Sequence, residues 1–139
     1  KHDLLGKLRD IGTYVEEITS FSPSVVEEYR SRLYTKLRET LSDAGLTADE
    51  GRLVTEVTIF ADKVCTDEEM VRLRSHTSAM IQKLEKGGPC GRELDFIAQE
   101  MNREANTTLS KANSLQIADT AISLKTAIEK VREQIQNIE

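Results

Sequence analysis

Apolar side chains recur along this chain at alternating steps of four and three residues, and this spacing is the feature that most limits its possible folds. At about 100° per residue, such steps place the side chains on one face of an α-helix, whereas a strand requires steps of two. No segment needs a strand, so the spacing predicts an all-α protein. The clearest stretches are the first, Leu4, Leu8, Ile11, Val15 and Ile18, and the last, Ile117, Ala121, Leu124, Ile128, Val131, Ile135 and Ile138.

The composition agrees with helices and narrows the possible functions. Charged residues make up 31% of the chain, aromatic residues only 4%, and Trp is absent, whereas sheets favour β-branched and aromatic side chains. The net charge of −5 argues against a general affinity for nucleic acid, so any RNA binding requires a local basic patch. No membrane span, signal peptide or nucleotide-binding glycine loop is present, which predicts a soluble, cytoplasmic protein without a nucleotide cofactor. Cys65 and Cys90 are expected to be unpaired thiols.

Turn and capping residues divide the chain into about six helices. Thr66 followed by Glu69 has the form of a capping box, in which each side chain bonds a free backbone N–H at a helix start. Serine before proline also starts helices, and glycine commonly ends them. The expected boundaries are an end near Ser20, a start at Ser22 and Pro23, a stop at Gly45, a start near Thr47 or Asp49, a break at Cys65 and a turn at Gly87, Gly88 and Pro89.

The C-terminal half, residues 66–139, is predicted to form a long antiparallel helical hairpin around the turn at Gly87–Pro89. Its last apolar stretch keeps the heptad spacing of a coiled coil, and its C-terminal arm should extend beyond the partner helix. An apolar seam of that length needs another surface to cover it. A second copy of the chain is a natural candidate, so the pattern favours a homo-oligomer.

Between Gly91 and Lys111, four polar residues form one narrow line on a helix: Asp95, Gln99, Asn102 and Asn106. Asn and Asp are poor helix formers, so helix stability does not explain them. Arg92 and Arg103 border the line, which fits a surface for an anionic ligand. The alternative is a buried hydrogen-bond network that fixes the register of a helical bundle. The spacing alone leaves both interpretations open.

Two further stripes carry charged residues. Glu69, Arg72 and His76 share a helix face, where His76 could transfer a proton to or from a ribose hydroxyl or a leaving oxygen, although such a stripe is more often a surface ion pair. Arg52 and Glu56 share another, for which ion pairing is sufficient. Together, the carboxylates of the chain could hold Mg²⁺ or Mn²⁺ if folding brought them close. Those carboxylates are Glu56, Glu69, Asp95, Glu100 and Glu104.

The run GRELDFIAQEMNREANTTLSK resembles the strongest motif of the YicC family, bacterial proteins described as endoribonucleases. Further matches follow in the family's order: Arg52, Glu56, the segment Asp67-Glu68-Glu69 with Arg72 and His76, and the ending IEKVREQIQNIE. The resemblance covers residues 33–139 and is looser before them. Family members carry a further N-terminal domain, and this chain starts at Lys1 without a methionine. The resemblance therefore implies a fragment, namely the helical C-terminal domain over residues 1–139.

The resemblance implies an endoribonuclease that cleaves RNA phosphodiester bonds with a divalent metal and assembles as a ring-like homo-oligomer. On this chain the catalytic candidates are Glu69, His76, Asp95 and Glu100. The RNA-binding candidates are Arg92, Gln99, Asn102, Arg103, Asn106 and Lys111. The alternative is an oligomerisation or adaptor module without its own catalytic site, in which the polar line connects subunits.

Overall fold

The computed structural model describes residues 2–138 and, within them, shows helices and no strand. The all-α prediction is confirmed, but the expected number of about six helices is wrong. Five helices are present over these residues, and none of them combines the length and apolarity needed to cross a membrane. Their bounds are α1 His2–Asp43, α2 Glu50–Asp62, α3 Asp67–Lys86, α4 Gly91–Lys111 and α5 Leu115–Ile138.

Four of the helices form a closed bundle. The first half of α1 packs against α3 and α5, and α4 packs against the same two helices from the other side. The apolar stripes predicted from the spacing are buried at its centre, including Leu8, Leu73, Met101 and Leu124, each with no exposed surface. The residues that the four-and-three spacing marks as apolar therefore form the core of the bundle. Within this bundle α3 and α4 are antiparallel neighbours.

Helix α1 is one continuous helix of 42 residues, so the predicted end near Ser20 is wrong. Pro23 lies inside it, where proline lacks the N–H that would bond the preceding turn. Ile18 and Val25, on either side of the proline, are both buried in the bundle, and this packing offsets the lost hydrogen bond. Ser22 is buried and donates to the Asp67 carboxylate at 3.4 Å, so it joins α1 to the start of α3 and caps no helix.

The two-helix hairpin expected over residues 66–139 is wrong, because α4 ends at Lys111 and the chain turns back into a further helix, α5. The Ser114 hydroxyl accepts a hydrogen bond from the N–H of Ile117 at 3.1 Å and so starts α5. Helix α5 then packs on α4 and α1. Its seam from Ile117 to Ile135 is covered within the chain, so this seam does not call for a second copy. The predicted seam residue Ile138 has a side chain outside the described part.

Helix α3 begins at Asp67, as the break predicted at Cys65 requires, but the capping box is wrong. Thr66 makes no capping hydrogen bond, and its buried hydroxyl has no partner among the described residues. Glu69 does not reach back to the helix start because its carboxylate is used in contacts with α4. The turn between α3 and α4 is as expected: Gly87 and Gly88 have φ of 77° and 87°, which favour glycine.

The second half of α1 and helix α2 form a separate unit, the α1–α2 hairpin (residues 33–62). Within residues 2–138, α2 packs against α1 and no other helix. Asp49 caps α2 by accepting from the N–H of Arg52 at 3.4 Å, and Gly45 ends α1 with φ of 74°, both as predicted. With one helix to cover it, α2 leaves Val54 and Phe60 about half exposed.

Candidate functional site

A buried ion-pair network joins α3 to α4. Both carboxylate oxygens of Glu69 accept from the Lys111 ammonium at 3.0 Å, and Arg72 donates to Glu104 at 2.7 Å and to Glu69 at 3.3 Å. Lys111 also donates to the backbone carbonyl of Cys65 at 3.2 Å. The side chains of Glu69 and Glu104 are only 3% and 9% exposed. The hydrogen bond from Arg72 to Glu104 raises the pKa of the guanidinium.

This network gives three of the predicted site residues another role. Glu69 and Glu104 have their lone pairs engaged by cations, and Lys111 directs its charge at Glu69, away from an RNA phosphate. Glu69 accepts from two cations and Glu104 from one, and buried carboxylates paired in this way are typical of structural contacts between helices. We therefore interpret Glu69, Glu104 and Lys111 as residues that lock α3 against α4.

The register of α3 against α4 is fixed by two ion pairs. Arg72 contacts Glu104 near one end of the contact, and Lys83 contacts Glu93 near the other. Arg72 and Lys83 are eleven residues apart on α3 (72 to 83), and Glu93 and Glu104 are eleven apart on α4 (93 to 104). Equal spacing means that the antiparallel helices run level between the pairs. The Lys83 hydrogen bond lowers the pKa of Glu93, and the Glu93 hydrogen bond raises the pKa of Lys83.

This register puts His76 and Glu100 at the same level along the α3–α4 contact. His76 is four residues after Arg72, and Glu100 is four residues before Glu104, so each lies between the two ion pairs. Both are partly exposed, in contrast to Glu69 and Glu104. The Arg103 guanidinium lies 3.8 Å from the Glu100 carboxylate. Two of the four catalytic candidates thus lie at one level of the α3–α4 contact, with Arg103 beside Glu100.

Asp95 lies on the opposite side of α4 and faces α5. Its carboxylate accepts from Arg132 at 3.4 Å and from the amide of Gln99 at 2.9 Å. The pairing with Arg132 crosses from α4 to α5, and the sequence carried no signal for it. Asp95 is therefore separated from His76 and Glu100 by the width of the helix.

The polar line on α4 divides between surface and interior. Gln99 and Asn106 are exposed, whereas Asn102 is half-buried and its side-chain oxygen is buried without a partner among the described residues. Arg92 and Arg103 are exposed on the same side as Gln99 and Asn106. Among the described residues of the line, only Asp95 bonds a neighbouring helix, and it is only partly buried, whereas Gln99 and Asn106 belong to a solvent-facing surface.

Phe96 also lies on this surface, and sequence reasoning missed it. Its ring is 63% exposed, although the apolar residues beside it in sequence are buried. The signal was available, because Phe96 falls outside the four-and-three spacing of Leu94, Ile97 and Met101. We call Arg92, Phe96, Gln99, Arg103 and Asn106 the outer face of α4.

The five predicted metal ligands are divided among different parts of the structure, and only Glu69 and Glu104 share a cation. Glu56 lies on α2, beside a groove of about 520 Å³ that is also lined by Leu53 and Phe60. Glu69 and Glu104 belong to the ion-pair network, Glu100 contacts Arg103, and Asp95 contacts Arg132 of α5. Over residues 2–138, no three His, Cys, Asp or Glu side chains come close enough to hold a metal ion. The five carboxylates therefore do not form one ligand cluster within the described part of the chain.

Comparison with known proteins identifies the family. The family model for the C-terminal part of YicC-like endoribonucleases matches residues 18–139. The chain is 45% identical over 126 residues to a protein of Clostridioides difficile (strain 630) named probable endoribonuclease YicC, covering 91% of the chain and 43% of that relative. It is 38% identical over 133 residues to a protein of the same name from Haemophilus influenzae, covering 96% of the chain and 45% of that relative.

This chain belongs to the YicC-like endoribonuclease family and corresponds to its C-terminal region. It spans less than half the length of the curated relatives it matches. The family resemblance seen in the motif at Gly91–Lys111 is thereby confirmed.

Proposed function

We propose that this chain supplies a catalytic groove for endonucleolytic cleavage of RNA. The observation that supports the proposal is the α3–α4 register, which places His76 level with Glu100 at the edge of the outer face of α4. The matching relatives are named probable endoribonucleases, which agrees with an RNA substrate. Arg103, beside Glu100, is positioned to meet a phosphate on the outer face.

In the proposed reaction, the Glu100 carboxylate takes the proton from a ribose 2′-hydroxyl as the 2′-oxygen attacks the adjacent phosphorus. The bond from phosphorus to the 5′-oxygen breaks, and protonated His76 gives its proton to that leaving oxygen. The products are a 2′,3′-cyclic phosphate and a free 5′-hydroxyl. Arg103 would stabilise the negative charge that develops on the phosphate oxygens in the transition state.

The expected Mg²⁺ or Mn²⁺ remains a proposal about the full-length protein. Its ligands would have to include groups beyond the five carboxylates, because these lie apart and two of them are engaged by Arg72 and Lys111. When bound, such an ion would supply Lewis-acid stabilisation of phosphate charge. No step at His76 or Glu100 depends on it.

Incubation of the full-length protein with an end-labelled single-stranded RNA tests this function. We expect internal cleavage that leaves 2′,3′-cyclic phosphate ends, because the attacking oxygen is the 2′-hydroxyl of the RNA itself. Mn²⁺ should increase the rate and EDTA should lower it, as the proposed ion requires. Products with 5′-phosphate ends would show that the acid–base mechanism at His76 and Glu100 is wrong.

A second function, assembly of copies of the chain, is favoured by the α1–α2 hairpin. Its groove is lined mainly by apolar surface from Leu37, Leu41 and Leu53, with Phe60 at its edge. Ile59, which directly precedes Phe60 on α2, is also about half exposed. Neighbouring exposed apolar residues on a helix covered from one side are typical of an interface. We propose that a second copy of the hairpin packs there in a homo-oligomer.

The double substitution of Ile59 and Phe60 by glutamate should reduce the mass of the full-length protein measured by size-exclusion chromatography with light scattering. Burying two carboxylates in an apolar interface without partners opposes association. Val71→Glu is the matched control, because Val71 is equally apolar and exposed but lies on α3 in the bundle. An unchanged mass for the double variant would place the subunit contacts outside this hairpin.

A further inference from the structure

Phe96 is a large exposed aromatic ring with polar neighbours. Isolated exposed apolar residues are common on protein surfaces, but this ring stands among groups that bind anions and bases. Arg92 lies one turn before it, Gln99 one turn after it and Arg103 two turns after it, all on the exposed side of α4. With a rise of about 1.5 Å per residue, the two arginines lie roughly 6 and 10 Å from the ring along the helix.

The outer face of α4 carries two arginines and no carboxylate, although the whole chain is negative. Among the carboxylates that flank it, Glu93 contacts Lys83, Asp95 contacts Arg132 and Glu100 contacts Arg103. Arg103 remains 75% exposed and makes a long contact of 3.8 Å with Glu100. Arg92 is also exposed. The outer face therefore presents guanidinium groups that are accessible to phosphates on both sides of an aromatic ring.

We propose that Phe96 stacks an unpaired base of single-stranded RNA while Arg92 and Arg103 contact the phosphates on either side of that nucleotide. Every base has a flat π face, so stacking on an exposed ring binds single strands with little dependence on sequence. A base in a duplex is already stacked between its neighbours and is not available to the ring. Phe96 thus selects unpaired RNA.

This inference rests on the proposed function and specifies its substrate. Arg103 belongs both to the outer face and to the groove that holds Glu100. A nucleotide stacked on Phe96 would therefore place its adjacent phosphate at the side of α4 where His76 and Glu100 lie. Phe96 acts as a positioning residue that determines which strand is presented for cleavage.

The test uses the full-length protein, a fluorescein-labelled single-stranded RNA protected from cleavage by 2′-O-methyl groups, and the same RNA as a duplex. Phe96→Leu keeps an apolar side chain but removes the π face, so its Kd for the single strand should rise about tenfold, with duplex binding unchanged. Phe96→Trp should bind the single strand at least as tightly as the natural protein. Val71→Ala is the control, since this exposed apolar residue lies on α3, outside both the outer face and the α1–α2 hairpin, and its Kd should not change.

Three outcomes would overturn the inference: an unchanged single-strand Kd in Phe96→Leu, an equal loss for single strand and duplex, or a change of oligomer mass that shows a subunit contact. Cleavage of unmodified RNA separates this inference from the proposed function. If Phe96→Leu keeps its affinity for the single strand while His76→Asn loses cleavage, the stacking role is wrong and the nuclease function is supported. If Phe96→Leu binds the single strand more weakly and the natural protein cleaves no RNA, the stacking role is supported and the nuclease function is wrong.

Discussion

Replacing His76 with asparagine is expected to slow single-turnover RNA cleavage by the full-length protein by about 10²- to 10⁴-fold. Asparagine keeps a polar planar side chain of similar size but cannot transfer a proton at neutral pH. Because His76 is half-buried and lies level with Glu100, the substitution removes the acid without disturbing the core. Glu100→Gln should cause a loss of the same order, since it removes the base.

The controls for this prediction come from the same helix. Ser75→Ala and Glu85→Gln change exposed residues of α3, and Glu85→Gln makes the same chemical change as Glu100→Gln away from the groove. Both should cleave RNA at the natural rate. Residues that act as a unit are not additive, so the double variant of His76 and Glu100 should be little slower than either single variant. Full activity in His76→Asn would exclude this groove as the site of proton transfer.

The bundle could be predicted from the sequence because burial follows periodicity. Leu4 and Leu8 in α1, and Met80 in α3, are buried where the spacing places them, whichever helix covers them. The spacing could not show which helix lies opposite. For that reason the apolar face of α5 was predicted to meet a second copy, whereas α1 and α4 cover it.

The course of α1 shows a limit of local signals. A proline inside a helix costs about 3 kcal/mol relative to alanine, so Ser22 and Pro23 correctly indicate a weak point in an isolated helix. Burial of Ile18 and Val25 in one core contributes a free energy of similar size from distant parts of the chain. Local propensity alone therefore predicted two helices where tertiary packing maintains one.

The sequence predicted which residue types the candidate site contains, but not which residues pair with each other across helices. Glu69 pairs with Lys111, 42 positions away, and Asp95 pairs with Arg132, 37 positions away. Such pairs depend on the rotation and register of whole helices, which no short motif specifies. The sequence therefore grouped Glu69 with Asp95 as catalytic candidates. In the structure Glu69 is buried against Lys111 of α4, whereas Asp95 faces Arg132 of α5.

The second large effect concerns stability: Arg72→Leu should lower the free energy of unfolding clearly more than the loss of an arginine from an exposed ion pair does. The substitution leaves the Glu104 carboxylate buried without its cation, whereas Glu69 keeps Lys111. Arg72 itself is 47% exposed, which places the effect at the lower end for buried pairs because water partly solvates the site. Urea denaturation followed by circular dichroism, with an unchanged m value, measures the difference.

Two comparisons distinguish a buried charge from a general loss of arginine. Arg74→Leu removes a guanidinium from the same helix, but its partner Glu16 and Arg74 itself are 65% and 50% exposed, so the loss should stay below about 1 kcal/mol. Changing Arg72 and Glu104 together to leucine removes both charges and should recover much of the stability, since apolar packing replaces a desolvated pair. A double variant as unstable as Arg72→Leu alone would show that the unpaired Glu104 is not the cause, and that the aliphatic part of Arg72 holds α3 against α4.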